Sequence, residues 1–452
     1  MGNPLETEKI SKLLVSFCIP SLASSLVTCL YNIVDQLFIG NVLGIVGNAA
    51  TNVVFPVVTL ITALSLMCGV GPSNAMNIKR GSGDIEGAGR CVGSGFGIMI
   101  LCGLICMLPM LLWTQQLLYL FGCTDTVLPV AMPYARIIAL SFVFSMIGAS
   151  GPFLIRADGA PNFSLAVVAT GAILNIILDA IFIIGFDWGI LGAGWATFIA
   201  QAVSTVMVIW YMKRRFLAFP LKASYFRPDW KLYGQMAGIG IGPAFNFGTQ
   251  AIVQIFLNNA LRTYGAASVY GSDACLAVAG VANKVNTLAN AMIIGMTNGL
   301  QPIASYNFGR GNYARVAEAA KKVVGIVVIL GLAIFICYQL FPVQITSLFG
   351  DGDEAYFAFA KKFFRIFFLL IPLYGLQTSI AGFFTSQGKV SKAVTISLVR
   401  QVLFFPPCLI LLPQVLGLDG VLWAGPVADL AMAITAGVLF ARELKKLEQQ
   451  SV

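Results

Sequence analysis

The chain has 452 residues, of which 58% are hydrophobic and only 10% charged, well below the roughly 25% charged residues of soluble domains. Water is therefore not its main solvent. The absence of histidine excludes zinc-hydrolase motifs and serine–histidine triads, and the ten cysteines sit in or beside apolar runs without a CxxC pair, which argues against a disulfide framework.

Taken in chain order, twelve apolar runs are each long enough to cross a hydrocarbon core of about 30 Å as a helix. They lie near residues 13–38, 53–78, 92–113, 130–154, 163–186 and 191–211, then 232–261, 274–305, 323–340, 357–384, 393–412 and 421–440. Barrel strands would be about ten residues long with alternating polarity, and no such alternation is present. The start, with Glu6, Glu8, Lys9 and Lys12, does not read as a removable signal peptide. The expected fold class is an all-α membrane protein of twelve transmembrane helices.

The two halves match at a fixed offset. Gly81-Ser82-Gly83 pairs with Gly309-Arg310-Gly311, and Leu120-Phe121-Gly122 with Leu348-Phe349-Gly350. Asp125 pairs with Asp353, and Gly189, Gly192, Trp195 and Ala196 pair with Gly417, Gly420, Trp423 and Ala424. A one-residue slip brings Gly159 onto Gly388. Scattered matches of this kind mark a duplicated unit. Six spans per copy is an even number, so the repeat is parallel, with a pseudo-two-fold axis along the membrane normal. The expected division is a lobe over residues 1–212, a basic linker over 213–231 containing Pro220 and Pro228, and a second lobe over 232–452.

Charge follows this topology. With both termini inside, the inward segments hold Lys79, Arg80, Lys213, Arg214, Arg215, Lys222, Arg227, Lys231, Lys445, Lys446 and others, whereas the outward loops hold only Arg262 among bases. That is the positive-inside pattern, and it places both termini in the cytoplasm of a plasma (inner) membrane protein. The net charge of +9 therefore reflects topology and does not imply nucleic acid.

An ionised carboxylate at the middle of a membrane helix costs roughly 2.5–3.5 kcal/mol on insertion scales, so each one asks for a reason. Three acids lie within the spans: Asp35, Asp179 and Asp429. Asn175 and Asp179 stand four apart and share a helix face; Thr197 lies at a similar depth on the next span. Asp35, Asn175, Asp179 and Thr197 together offer carboxylate, amide and hydroxyl oxygens, a set suited to a hard monovalent cation. Two acids brought together repel, which favours uptake of a positive charge, Na⁺ or H⁺. Asp429 shows no polar partner in the sequence and is left out of this site. Lys284 and Arg400 are cations at membrane depth, for which snorkelling or backbone carbonyls are the expected partners.

In the second half, Asn246, Gln250, Gln254 and Asn258 recur every four residues as a neutral polar stripe, expected to face a cavity and contact substrate. Aligning Pro20 with Pro243 sets Asp35 opposite Asn258, and the offset of the repeat sets Asn175 and Asp179 opposite Leu403 and Pro407, so the second copy lacks the acidic pair. Paired lobes around a central site imply alternating-access transport.

Five fragments stand in order along the chain: Val34-Asp35-Gln36-Leu37-Phe38-Ile39-Gly40, Gly81-Ser82-Gly83-Asp84, Asn175-Ile176-Ile177-Leu178-Asp179, Gly192-Ala193-Gly194-Trp195-Ala196-Thr197 and Gln301-Pro302-Ile303-Ala304-Ser305-Tyr306-Asn307-Phe308-Gly309. By these the chain resembles the multidrug and toxic compound extrusion family. The resemblance implies a cofactor-free antiporter, not an enzyme, that expels amphipathic, often cationic compounds in exchange for Na⁺ or H⁺, with Asp35, Asn175, Asp179 and Thr197 as its cation site. Some members of that family also use acids in the seventh and tenth helices, which this chain lacks. The expected partners are small-molecule substrates and the lipid bilayer, and the expected state is a monomer. The alternative is a lipid-linked oligosaccharide flippase of related architecture.

Overall fold

The computed structural model describes residues 3–349 and 352–450, leaving the side chains of residues 36, 37, 39–46, 48 and 251 undescribed. Gly350, one of the paired repeat residues, lies outside that description. Hydrocarbon offers no partner for a free N–H or C=O, so long apolar segments satisfy their backbone internally as helices. The long helices are α2 (Ile10–Gly81), α3 (Ile85–Leu112), α5 (Leu128–Asp158), α6 (Pro161–Asp179) and α7 (Gly189–Arg214), followed by α8 (Trp230–Ala266), α9 (Ser272–Arg310), α10 (Tyr313–Leu340) and α16 (Leu418–Gln449). Shorter helices are α1 (Pro4–Thr7), α4 (Thr114–Leu120), α11 (Pro342–Ser347), α12 (Glu354–Phe367), α13 (Ile371–Ser386), α14 (Val390–Leu398) and α15 (Phe405–Leu416).

Among the described residues, nine helical segments are long and apolar enough to span a bilayer, or ten when α12 and α13 count as one span bent by 49°. The first two of them, Ile10–Asp35 and Ala49–Gly81, belong to the continuous helix α2. Helices α8 and α9 are longer than most of the others but carry many amide side chains, and they bring the set to twelve. Large apolar side chains such as Ile105, Ile177, Val206, Ile329 and Ile434 are exposed, as befits an outer surface that meets lipid.

Three expected spans differ in detail. The tenth is broken where Pro372 opens α13, since proline lacks the N–H needed to continue a helix from the preceding turn. The eleventh is interrupted by a π-helical turn, Val399–Phe404, and the fifth ends in another, Ala180–Gly185. Such turns insert a residue and often mark functional positions.

Paired glycines of the repeat share a positive φ. Gly83 and Gly311 have φ of 87° and 82°, Gly159 and Gly388 of 107° and 70°, and Gly189 and Gly417 of 56° and 58°. A side chain is disfavoured there, which accounts for glycine at both copies.

The helices assemble into two compact units. One comprises Ile19–Ala244 with Phe308–Gly311; its α5 packs on α3 and α7, and α6 on α7. Its core runs from Ala50 to Met236 and includes Met76, Met99, Phe142 and Tyr211, all almost fully buried. The other comprises Met1–Cys18, Phe245–Asn307 and Asn312–Val452; its α13 packs on α10 and α16, around a cluster of Phe359, Phe363, Phe364 and Phe405. The chain thus changes unit inside α2, after Cys18, and inside α8, after Ala244.

Candidate functional site

In the unit that holds α6 and α7, Asn175 and Asp179 lie one turn apart near the end of α6, immediately before the π-helical turn. Both are buried, Asp179 completely. The Asn175 Nδ2 donates to Thr197 Oγ1 on α7 at 3.4 Å, which turns the amide and leaves its carbonyl oxygen for another partner. That oxygen and both carboxylate oxygens of Asp179 are buried without a hydrogen-bond partner among the described residues.

Asp35, half-buried at the end of the first span, completes the constellation. Its carboxyl group lies near that of Asp179, although neither Asp179 oxygen has a hydrogen-bond partner among the described residues. Buried acceptors normally find donors. Here two carboxylates, an amide oxygen and a hydroxyl oxygen converge, with no protein cation against them among the described residues.

Two residues escaped the sequence reading. Tyr31 and the buried Tyr134 on α5 both lie within electrostatic range of Asp35 and Asp179. Tyr31 stands one turn before Asp35, a spacing that the sequence does display. Tyr134 has no such local signal, because its place depends on how α5 packs.

The polar stripe lies on α8 in the other unit. Asn246 Oδ1 accepts from Gln401 Nε2 at 3.3 Å, and Gln250 Nε2 donates to the Tyr374 hydroxyl at 3.2 Å. Gln254 Nε2 donates to Asn258 Oδ1 at 2.9 Å, within the stripe itself. Gln250 and Asn258 are exposed, and Asn246 and Gln254 half-buried.

Two expectations need correction. Asp429 does have a polar partner: Arg400 donates from Nε to Asp429 Oδ1 at 2.6 Å. Arg400 accordingly neither snorkels nor relies on backbone carbonyls. The two residues are 29 apart in sequence and meet because the π-helical turn that carries Arg400 packs against α16. Opposite charges on successive spans were the available signal. Lys284 is exposed on α9.

Comparison with known proteins agrees with this architecture. The MatE family model matches residues 20–181 and again 250–410. The chain belongs to the MatE family. Its apolar helices make it a multi-pass membrane protein. Among its relatives, the multidrug export protein MepA of Staphylococcus saprophyticus is 24% identical over 433 residues, covering 95% of this chain and 93% of the relative. MepA of Staphylococcus aureus strain MRSA252 is 25% identical over 434 residues, with the same coverage.

Among solved structures, an outward-facing multidrug resistance MATE family transporter of the MOP superfamily superposes with a TM-score of 0.90 at 22% identity, covering 98% of both chains. A MATE crystal structure in complex with MaD3S gives the same score and identity over 99% of this chain and 98% of that one. The MatE fold is thus the twelve-helix, two-lobed fold of those transporters, and the flippase alternative is left without support.

Proposed function

We propose that this MatE protein is a cation-coupled antiporter that exports amphipathic, often cationic compounds by alternating access across the plasma (inner) membrane, with both termini in the cytoplasm. In this reading the sequence repeats, residues 1–212 and 232–452, are the two lobes, and residues 213–231 link them. The single observation that carries the proposal is the set of buried oxygens on Asn175 and Asp179 without a protein donor, facing Asp35.

Asp35, Asn175, Asp179 and Thr197 hold the coupling ion, Na⁺ or H⁺. The residues fit it: oxygen donors only, two of them negative, in a place where an unpaired charge is costly. Binding cancels one of the two negative charges and so relieves their mutual repulsion, which favours one packing of the surrounding helices over another. A ligand shifts such an equilibrium only through a difference in affinity between the two states. The exposed amides of Gln250 and Asn258, with Asn246 and Gln254, contact the exported compound.

The test is substrate efflux from proteoliposomes under an imposed Na⁺ gradient and, separately, an imposed pH gradient. One of the two drives export in the wild type, and Asp35→Asn and Asp179→Asn each abolish it while the protein still inserts and folds. Full drug resistance in cells carrying either variant would refute the reading.

A further inference from the structure

The two buried acids at membrane depth differ in what neutralises them. Around Asp179 no described side chain supplies a positive charge or a formed hydrogen bond. Asp429, in the other unit, is equally secluded, at 4% exposure, yet it carries its own counter-ion. Arg400 is bonded to it at 2.6 Å, and both side chains are shielded, at 11% and 6% exposure.

Arg400 is also fixed from its sides. Its guanidinium lies 4.5 Å from the centre of the Tyr374 ring and 5.5 Å from that of Phe405, a placement favoured by the ring quadrupole. Tyr374 is held in turn by Gln250, and the neighbouring Gln401 by Asn246. The charged or titratable groups that act on the pair, among the described residues, are Arg400, Asp429 and Tyr374. A guanidinium does not deprotonate in proteins, and this one is covalently attached. The counter-charge at Asp429 therefore never leaves.

We propose that Arg400 is a tethered replacement for a mobile coupling ion: it keeps Asp429 neutralised throughout the cycle, so that ion exchange belongs to the Asp35–Asp179 site alone. The inference rests on the coupling proposed above. It follows from the contrast between one acid that must recruit its cation from solution and another supplied with one by the chain.

The experiment compares wild type, Arg400→Gln and the neutral pair Arg400→Gln/Asp429→Asn in proteoliposomes, using whichever ion drives the wild type. Arg400→Gln strands Asp429, which then recruits a solution cation. The steepness of efflux against ion concentration rises from a Hill coefficient of about one toward about two. The double variant returns to the wild-type dependence.

A second readout needs no transport. Thermal stability of purified Arg400→Gln rises with Na⁺ or H⁺ concentration beyond any rise in wild type, because an ion bound only by the folded state stabilises it; the double variant loses that excess. Arg400→Gln that matches wild type in both ion dependence and ion-linked stability overturns the proposal, as does a double variant that keeps the altered dependence. A wild type that exports without any ion gradient sinks the coupling reading instead, and the stability comparison still separates the two.

Discussion

Thr197 shows how a single neutral side chain orders the proposed cation site. By accepting the Asn175 amide it fixes which end of that amide faces Asp179. Thr197→Ala removes the acceptor, and a neutral hydrogen bond is worth about 0.5–1.5 kcal/mol net. The concentration of coupling ion at half-maximal efflux should therefore rise roughly twofold to tenfold with little change in maximal rate. An unchanged half-saturation would remove Thr197 from the site.

Asp84, on the loop before α3, offers a separate test at the same scale. It caps that helix by accepting Gly87 N–H at 2.8 Å, and it pairs with Lys79 at 3.1 Å. The Gly87 bond first, and Lys79 second, hold its carboxyl below the ordinary carboxylate range. A lowered folded value means that the cap stabilises fully above the unfolded pKa and is lost as pH falls through the folded one. Asp84→Ala should lower stability by about 1 kcal/mol at neutral pH and show a smaller loss in acid, read by thermal unfolding in detergent. Equal losses at both pH values would contradict this account.

What the residues revealed in advance depended on distance along the chain. Asn175 and Asp179 share a helix face by local periodicity, and Asp35 and Thr197 stand out by residue type and depth, so all four residues of the candidate cation site were legible. The partnership of Arg400 with Asp429 was not, because it depends on how two helices pack.

Between elements, close approach is enforced by glycine. A Cβ on Gly71 of α2 would lie 2.0 Å from the Met236 carbonyl oxygen of α8, and one on Gly240 of α8 would lie 2.1 Å from the Met67 carbonyl oxygen. The two helices meet backbone to backbone, with no flexible side chain to move aside. Gly71→Ala should destabilise the protein by about 1–3 kcal/mol, seen as a lower melting temperature of the purified protein. A stability equal to wild type would show that the helices separate at little cost. Most spans were readable from length and apolarity alone. The bend between α12 and α13 and the π-helical turns were hidden, because an unbroken apolar run looks the same whether its helix is straight or interrupted. Only Pro372 signalled the break.

At the scale of the whole molecule the repeat was the legible feature, since duplication leaves matched glycines at several turns of positive φ. The assignment of residues 3–18 to the unit built mainly from the second half of the chain was not legible. It rests on contacts hundreds of residues away: Arg315 donates to the carbonyls of Leu5 and Glu8, Asn307 donates to that of Leu5, and Gly299 packs against the backbone of Cys18. Deleting the residues before Glu8 removes the Leu5 carbonyl, which accepts two of these bonds, and should lower the melting temperature. An unchanged melting temperature would mean that this strap contributes little.

That strap also constrains the order of assembly on the ribosome. Arg315 is synthesised about 300 residues after the segment it secures, which at roughly 5–20 residues per second takes about 15–60 s. The opening stretch of the nascent polypeptide therefore enters the bilayer long before its anchor exists, and the unit to which it belongs closes only once the second half has been made.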